Sequence, residues 1–369
     1  LYILVGMSEL TAVGKYIHYW APDIPTWVSA AGFFVLINLI NLANVKVFGE
    51  AEFWFAIIKV VAIVGMIALG SYLLVSGNGG PQASVSNLWS HGGFFPNGVS
   101  GLVMAMAIIM FSFGGLEMLG FTAAEADKPK TVIPKAINQV IYRILIFYIG
   151  ALVILLSLTP WDSLLATLNA SGDSYSGSPF VQVFSMLGSN TAAHILNFVV
   201  LTAALSVYNS GTYCNSRMLL GMAEQGDAPK ALSKIDKRGV PVRSILASAA
   251  VTLIAVLLNY LIPQNALELL MSLVVATLVI NWAMISFSHF KFRQHMNKTK
   301  QTPLFKALWY PYGNYICLAF VVFILCVMLL IPGIQISVYA IPVWVVFMWI
   351  CYGIKNKRSA QHALQASVK

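Results

Sequence analysis

Apolar runs of about 20 residues, separated by short polar stretches, recur along the whole chain. An α-helix of that length crosses the ~30 Å hydrocarbon core of a bilayer. The runs predict about ten spanning helices, at 1–20, 27–45, 53–75, 98–122, 136–159, 188–216, 243–262, 265–288, 313–331 and 335–354. The runs lack the polar–apolar alternation and short length of membrane-barrel strands. The fold class is therefore an all-α integral membrane protein. Segment 188–216 is long enough to tilt or to project beyond the bilayer.

The polar stretches fall into two sets. SGNGGPQASVSNLWSHGGFF (76–95) and DSLLATLNASGDSYSGSP (162–179) are Gly- and Ser-rich surface loops. They share one side with Asp23, Asp162 and Asp173, and with Lys15 as the single base. The other side collects Lys46, Lys128, Lys130, Lys135, Arg217, Lys230, Lys234, Lys237, Arg238 and Arg243. Lys291, Arg293, Lys298, Lys300, Lys306, Lys355, Lys357, Arg358 and Lys369 continue that set. An excess of Lys and Arg marks cytoplasmic loops, which predicts a cytoplasmic C-terminus. Trp20, Trp27, Trp89, Trp161 and Trp309 stand near segment ends, where indole anchors at the membrane interface.

Composition agrees with the pattern. Hydrophobic residues make up 59% and charged residues 9%, with a mean hydropathy of +0.78, where a soluble domain carries roughly 25% charged residues. The net charge of +9 follows from the cytoplasmic basic loops. No basic helix or base-stacking pattern points to nucleic acid. Cys214, Cys317, Cys326 and Cys351 lie in or beside apolar segments without CxxC spacing, and read as packing residues with neither disulfide nor metal. HExxH, GxSxG, GxxxxGK[ST] and paired CxxC are absent, so nothing supports an enzyme, a cofactor or a metal site.

FSFGGLE (111–117) is the odd stretch inside an apolar run. A charge inside a membrane costs roughly 2.5–3.5 kcal/mol on insertion scales and normally faces a cavity or a partner. Gly114 and Gly115 allow local unwinding, and unwound backbone at membrane depth persists only against protein or a water-filled cavity. A broken helix offers free C=O and N–H groups to ammonium and carboxylate. The same glycines also suit close helix packing, with Glu117 bonded to a neighbour. Glu9 and Lys59 are further ionisable groups inside predicted spans, each a candidate for proton exchange or a structural ion pair; Lys59 could also snorkel outward. Ser206, Tyr208 and Asn209 belong to a polar helix end, LSVYNSGTYCNSR, and are candidates for cavity lining or interhelical hydrogen bonds. Arg143, in the first turns of its predicted span, reads as interfacial.

The run FSFGGLEMLGFTAAEADKPKTVIPKAINQVIYRILIFYIGALVILLSLTPW (111–161) resembles the bacterial aromatic amino-acid and phenylalanine permeases of the amino acid–polyamine–organocation superfamily. ELTAVGKYI (9–17), NVKVFGEAEFWFAIIKV (44–60), SVYNSGTYCNSRML (206–219), APKALSKIDKRGVPV (228–242), INWAMISFSHFKFR (280–293) and YPYGNYICL (310–318) carry the same resemblance. It implies a LeuT-like five-plus-five inverted-repeat transporter fold, here family helices 3 to 12. The region 1–369 would be one permease transmembrane domain without the family's N-terminal helices, ending in a short cytoplasmic tail at 355–369. Leu1, which opens inside an apolar run, fits that expectation.

The resemblance also implies roles. Phe111, Ser112, Phe113, Gly114 and Gly115 would bind substrate, with carbonyls near Phe111 and Gly114 facing its ammonium and Phe111 as an aromatic gate. Gly114 would leave room for a bulky ring. Glu117, Lys59 and Glu9 would serve proton coupling or gating. The implied function is proton-coupled import of Phe, Tyr and Trp across the bacterial inner membrane by alternating access. Its partners are the amino acid, the proton and the lipid bilayer. A permease for proline, GABA or basic amino acids, and a transport-inactive permease fragment or structural membrane partner, remain alternatives on the residues alone.

Overall fold

A computed structural model describes residues 1–43, 45–122, 128–170, 178–303, 307 and 309–367. Asn44, residues 123–127 of the long permease-like run, 171–177 with Asp173, and the basic residues Lys306 and Lys369 lie outside the described residues. Sixteen helices follow in chain order. They are α1 Tyr2–His18, α2 Thr26–Ala43, α3 Val45–Ser76, α4 Asn87–Ser90, α5 Gly98–Ile109 and α6 Met118–Thr122. Next come α7 Pro129–Arg143, α8 Ala151–Leu158, α9 Trp161–Ala170, α10 Pro179–Met186 and α11 Asn190–Glu224. The chain closes with α12 Val242–Thr252, α13 Ile254–Leu261, α14 Ala266–Lys298, α15 Tyr312–Leu330 and α16 Gln335–Ser367. No strand occurs among the described residues.

Nine helical stretches among the described residues are long and apolar enough to span a membrane. The tenth expected span, 1–20, is α1, which has 17 residues and falls short of that length. At 1.5 Å per residue it is about 25 Å long. Its place in the fold explains the difference: α1 packs against α2, α11, α12, α13 and α14, and Leu10 and Val13 are fully buried. A helix enclosed by protein need not match the bilayer unaided.

Two boundaries also moved. The expected span 53–75 is α3, which begins at Val45 and brings Glu50 and Glu52 into the helix. Hydropathy marks the apolar stretch, whereas helix ends follow backbone hydrogen bonding. The helix of the expected last span, 335–354, continues to Ser367.

The core divides around α1 and α11. Leu10, Val13, Ile37, Leu205 and Tyr208 join α1, α2 and α11. Met66, Leu155, Phe184 and Leu196 join α3, α8, α10 and α11. Ala107, Met110, Val279, Ile324 and Met328 join α5, α14 and α15. The outer faces are apolar as well: Val61, Tyr72, Val343 and Trp349 are all exposed. Such a surface suits contact with lipid, where apolar groups need no cover from water.

Hydrogen bonds between helices tie this core. Asn259 Nδ2 donates to Thr11 Oγ1 at 2.7 Å, and Asn197 Nδ2 to the Tyr16 carbonyl at 2.9 Å. At the acidic end, His91 Nδ1 meets Asp162 Oδ2 at 3.0 Å, and Trp161 Nε1 donates to the His91 carbonyl at 2.9 Å. Trp20 Nε1 donates to His194 Nδ1 at 3.0 Å.

Candidate functional site: a broken helix between two cavities

The helix predicted at 98–122 is interrupted. α5 ends at Ile109, a 3-10 turn covers Met110–Phe113, and α6 begins at Met118. Gly114 between them is extended, with φ −61° and ψ 149°. Gly115 has φ +95°, a backbone that glycine adopts freely and L side chains avoid. The Gly114 N–H donates to the Phe111 carbonyl at 3.1 Å and closes the turn.

Neighbours hold the break on three sides. A Cβ on Gly114 would lie 3.3 Å from the Phe111 oxygen and 3.5 Å from Leu278 Cδ2, so α14 approaches closely. The Tyr148 hydroxyl donates to the Ser112 carbonyl at 2.7 Å, and its ring meets Phe113 edge-on with centroids 5.7 Å apart. Glu117 folds back: Oε1 accepts the Gly115 N–H at 3.3 Å and Oε2 faces Trp282 Nε1 at 3.5 Å. The Tyr2 phenol lies beside the same carboxylate. Among the described residues the carbonyls of Phe113 and Gly114 accept no backbone hydrogen bond. They are the free acceptors that unwinding exposes.

The break separates two cavities. The larger, about 640 Å³, is bordered by Gly115 and Leu116, by Phe48 and Glu52 of α3, by Arg143 of α7 and by Tyr213 and Cys214 of α11. These elements lie toward the Lys- and Arg-rich ends of their helices. The smaller, about 120 Å³, takes Phe111 as a wall with Ile108, Glu268, Ser272 and Ile334. Phe111 and Gly115, four residues apart, thus face different cavities.

A second polar centre joins α3 to α11. Lys59 Nζ donates to Ser206 Oγ at 2.7 Å, and Ser206 Oγ donates to Glu52 Oε1 at 2.5 Å. Asn209 Nδ2 donates to Glu52 Oε2 at 3.2 Å, and Asn41 Nδ2 donates to Asn209 Oδ1 at 2.9 Å. Glu9 of α1 and Arg143 of α7 are further charges acting on Lys59. Glu9, Lys59, Ser206 and Asn209 thus gather here, while Glu117 sits at the break with Trp282.

Three of the candidates do not line the larger cavity. Tyr208 is buried and takes a hydrogen bond from Asn38 Nδ2 at 2.7 Å. Ser206 and Asn209 are fully engaged in the polar centre. The lining residues of α11 are Ser210, Tyr213 and Cys214. The helical repeat gives the reason for Tyr208, which lies opposite the face of Ser210 and Tyr213; Ser206 shares that face but sits one turn earlier in α11.

Two groups escaped the sequence reading. Arg143, read from the sequence only as interfacial, borders the larger cavity. A π-helical stretch, Ile144–Gly150, follows it and turns Tyr148 toward the break; such bulges frequently mark functional sites. Glu52 was hidden because the apolar run begins at Phe53. Its seven-residue spacing from Lys59, two turns on one face, was the available signal.

A bundle of membrane-crossing helices, one of them broken between two cavities, is the architecture of a membrane transporter. The chain belongs to the amino acid permease family: the model of that family, described as "Amino acid permease", matches residues 1–365. It is 64% identical over 357 residues to the aromatic amino acid transport protein AroP of Escherichia coli K12, covering 97% of this chain and 76% of that one. With the AroP of Salmonella typhimurium SL1344 the identity is 61% over the same shares. An uncharacterized transporter, YdgF of Bacillus subtilis 168, is 40% identical, again over 97% and 76%. The chain is a multi-pass inner-membrane transporter of amino acids, and no enzyme.

Proposed function

We propose that the protein imports aromatic amino acids (Phe, Tyr and Trp) together with protons, by alternating access around the break at Phe111–Glu117. The observation that carries this reading is the interrupted helix between two cavities. The carbonyls of Phe113 and Gly114 receive the substrate ammonium, while the backbone of Ser112 and Gly115 completes the cradle. Phe111, on the wall of the smaller cavity, closes over the substrate from that side. Phe48, Phe147 and Tyr213 give the larger cavity an aromatic lining suited to a ring. Lys59 and Glu9 carry and balance the coupled proton, and Glu117 couples its charge to the bend of the break. The Lys- and Arg-rich side, with the C-terminus, faces the cytoplasm. The 64% identity to a relative named for aromatic amino acid transport supports the substrate class.

Proteoliposomes holding the purified protein test this directly. An imposed pH gradient is expected to drive uptake of labelled phenylalanine, and an uncoupler to abolish it. Excess tyrosine and tryptophan should compete, while proline, GABA and lysine should not. Equal competition by lysine or proline would overturn the aromatic reading, and uptake indifferent to the uncoupler would overturn the proton coupling. In Lys59→Met, uptake should no longer respond to the pH gradient; an unchanged response removes Lys59 from the coupling.

A further inference from the structure

The contacts of Glu52 form one continuous path. Lys59 Nζ donates to Ser206 Oγ at 2.7 Å, and the same oxygen donates its own proton to Glu52 Oε1 at 2.5 Å. The short second contact is that of a hydroxyl on a carboxylate. Lys59 and Ser206 are absent from the lining of the 640 Å³ cavity, whereas Glu52 borders it. The path therefore runs from a half-buried ammonium outside that cavity to a carboxylate at its wall. Asn209, held in turn by Asn41, fixes the other oxygen of Glu52 at 3.2 Å. A serine in the middle is chemically apt, because a hydroxyl donates and accepts at once.

We propose that Glu52 is the proton outlet of the transport cycle, receiving the proton of Lys59 through Ser206 and releasing it into the larger cavity. The proposal rests on the proton-coupled reading above. In the step, one N–H bond of the Lys59 ammonium breaks as its proton passes to Ser206 Oγ. The Ser206 O–H bond breaks in concert, and that proton passes to Glu52 Oε1. Lys59 ends as a neutral amine, Ser206 keeps a hydroxyl, and Glu52 ends as a neutral acid. The acid then loses its proton to the cavity and regains its charge.

Several charged or titratable neighbours among the described residues face this path. From α1, Glu9 acts on Lys59, and from α7 Arg143 does the same and also borders the cavity. Tyr142 of α7 and Tyr213 and Cys214 of α11 share the wall with Glu52. The element α2 presents the neutral Asn41 through Asn209.

The test compares two rates in proteoliposomes: uptake of labelled phenylalanine driven by a pH gradient, and counterflow of phenylalanine at equal pH. Counterflow exchanges substrate without net proton movement. In Glu52→Gln the ratio of driven uptake to counterflow should fall by about a hundredfold, the low end of what a positioned proton-transfer group contributes. Ser206→Ala should lower the ratio likewise, and Ser206→Thr, which keeps the hydroxyl, should restore it. A parental ratio in Glu52→Gln, or equal ratios in Ser206→Ala and Ser206→Thr, overturns the outlet. If Glu52→Gln does not reach the membrane, the Ser206 pair alone decides. If the parent protein itself shows no dependence on the gradient, the proton-coupled reading falls and the outlet with it. A coupled parent with unaltered variants removes the outlet only.

Discussion

Tyr148 and Ser112 connect two irregular helices: the phenol, carried on the π-helical stretch Ile144–Gly150, donates at 2.7 Å to a carbonyl in the 3-10 turn of the broken span. An extra residue in one helix turn thereby meets a carbonyl freed by the unwinding of another. The Arg143 guanidinium reaches the same phenol at 3.4 Å. In Tyr148→Phe the ring stays and the donor goes. An unpaired carbonyl costs about 1–3 kcal/mol where water cannot replace the donor. The apparent KM for uptake should rise several-fold while the amount of protein in the membrane stays constant. Unchanged kinetics would show that the contact does not hold the break in shape.

The two glycines of the break should respond differently to alanine. Gly115 sits at φ +95°, where a Cβ is strained by roughly 1–2 kcal/mol. Gly114 has an ordinary φ, and its added Cβ would only crowd the Phe111 oxygen and Leu278. Uptake and thermal stability are both expected to suffer more in Gly115→Ala than in Gly114→Ala. The reverse order would mean that packing against α14, and not backbone conformation, limits this segment. A larger Gly114→Ile change should weaken phenylalanine transport more than alanine transport, and equal losses would count against a volume role.

On the cavity wall, the rings of Phe48 and Tyr213 stack with centroids 4.0 Å apart and planes at 10°. The Arg217 guanidinium lies 3.3 Å from the Tyr213 centroid on the same stack. A buried cation–π contact contributes about 2 kcal/mol. Cys214, the next residue, is buried and borders the same cavity. Removing one ring in Phe48→Ala should open that wall. With Cys317, Cys326 and Cys351 replaced by Ser, maleimide labelling of Cys214 is expected to accelerate several-fold. A labelling rate equal to that of the parent would show that the stack does not shield the thiol.

Asp236 organises the loop between α11 and α12. Its Oδ1 accepts the Val240 N–H at 2.9 Å and the Arg238 N–H at 2.9 Å, and its Oδ2 takes the Arg238 guanidinium at 2.7 Å. These bonds favour the charged form, the Val240 N–H most of all, and hold the carboxyl below its ordinary value. A depressed folded value gives stabilisation that is complete above the ordinary pKa of ~3.9 and fades as pH falls through the lower folded value. An NMR titration of the Asp236 carboxyl should therefore have its midpoint below ~3.9. A midpoint at or above that value would show that the loop does not prefer the anion.

Spans and boundaries show where sequence was sufficient. The apolar runs fixed the class because a bilayer rewards length and hydropathy, both of which are local. Gly114 and Gly115 announced the break for a local reason too, since the freedom to unwind belongs to the residue itself. Lys59 stood out because a base is costly in hydrocarbon wherever the chain folds.

What required the tertiary structure is everything that depends on a partner from another helix. Glu52 looked like the last polar residue before an apolar run, until α11 placed Ser206 and Asn209 against it. Tyr148 gave no signal in the sequence, until the π-helical stretch that carries it put its phenol on the break. Tyr208 looked like a cavity residue, until packing against Asn38 of α2 enclosed it. Sequence thus determined which elements cross the membrane and where one of them yields. The pairing of polar groups was decided by helix packing, because a hydrogen bond reaches only ~3 Å and the chain positions it joins lie far apart.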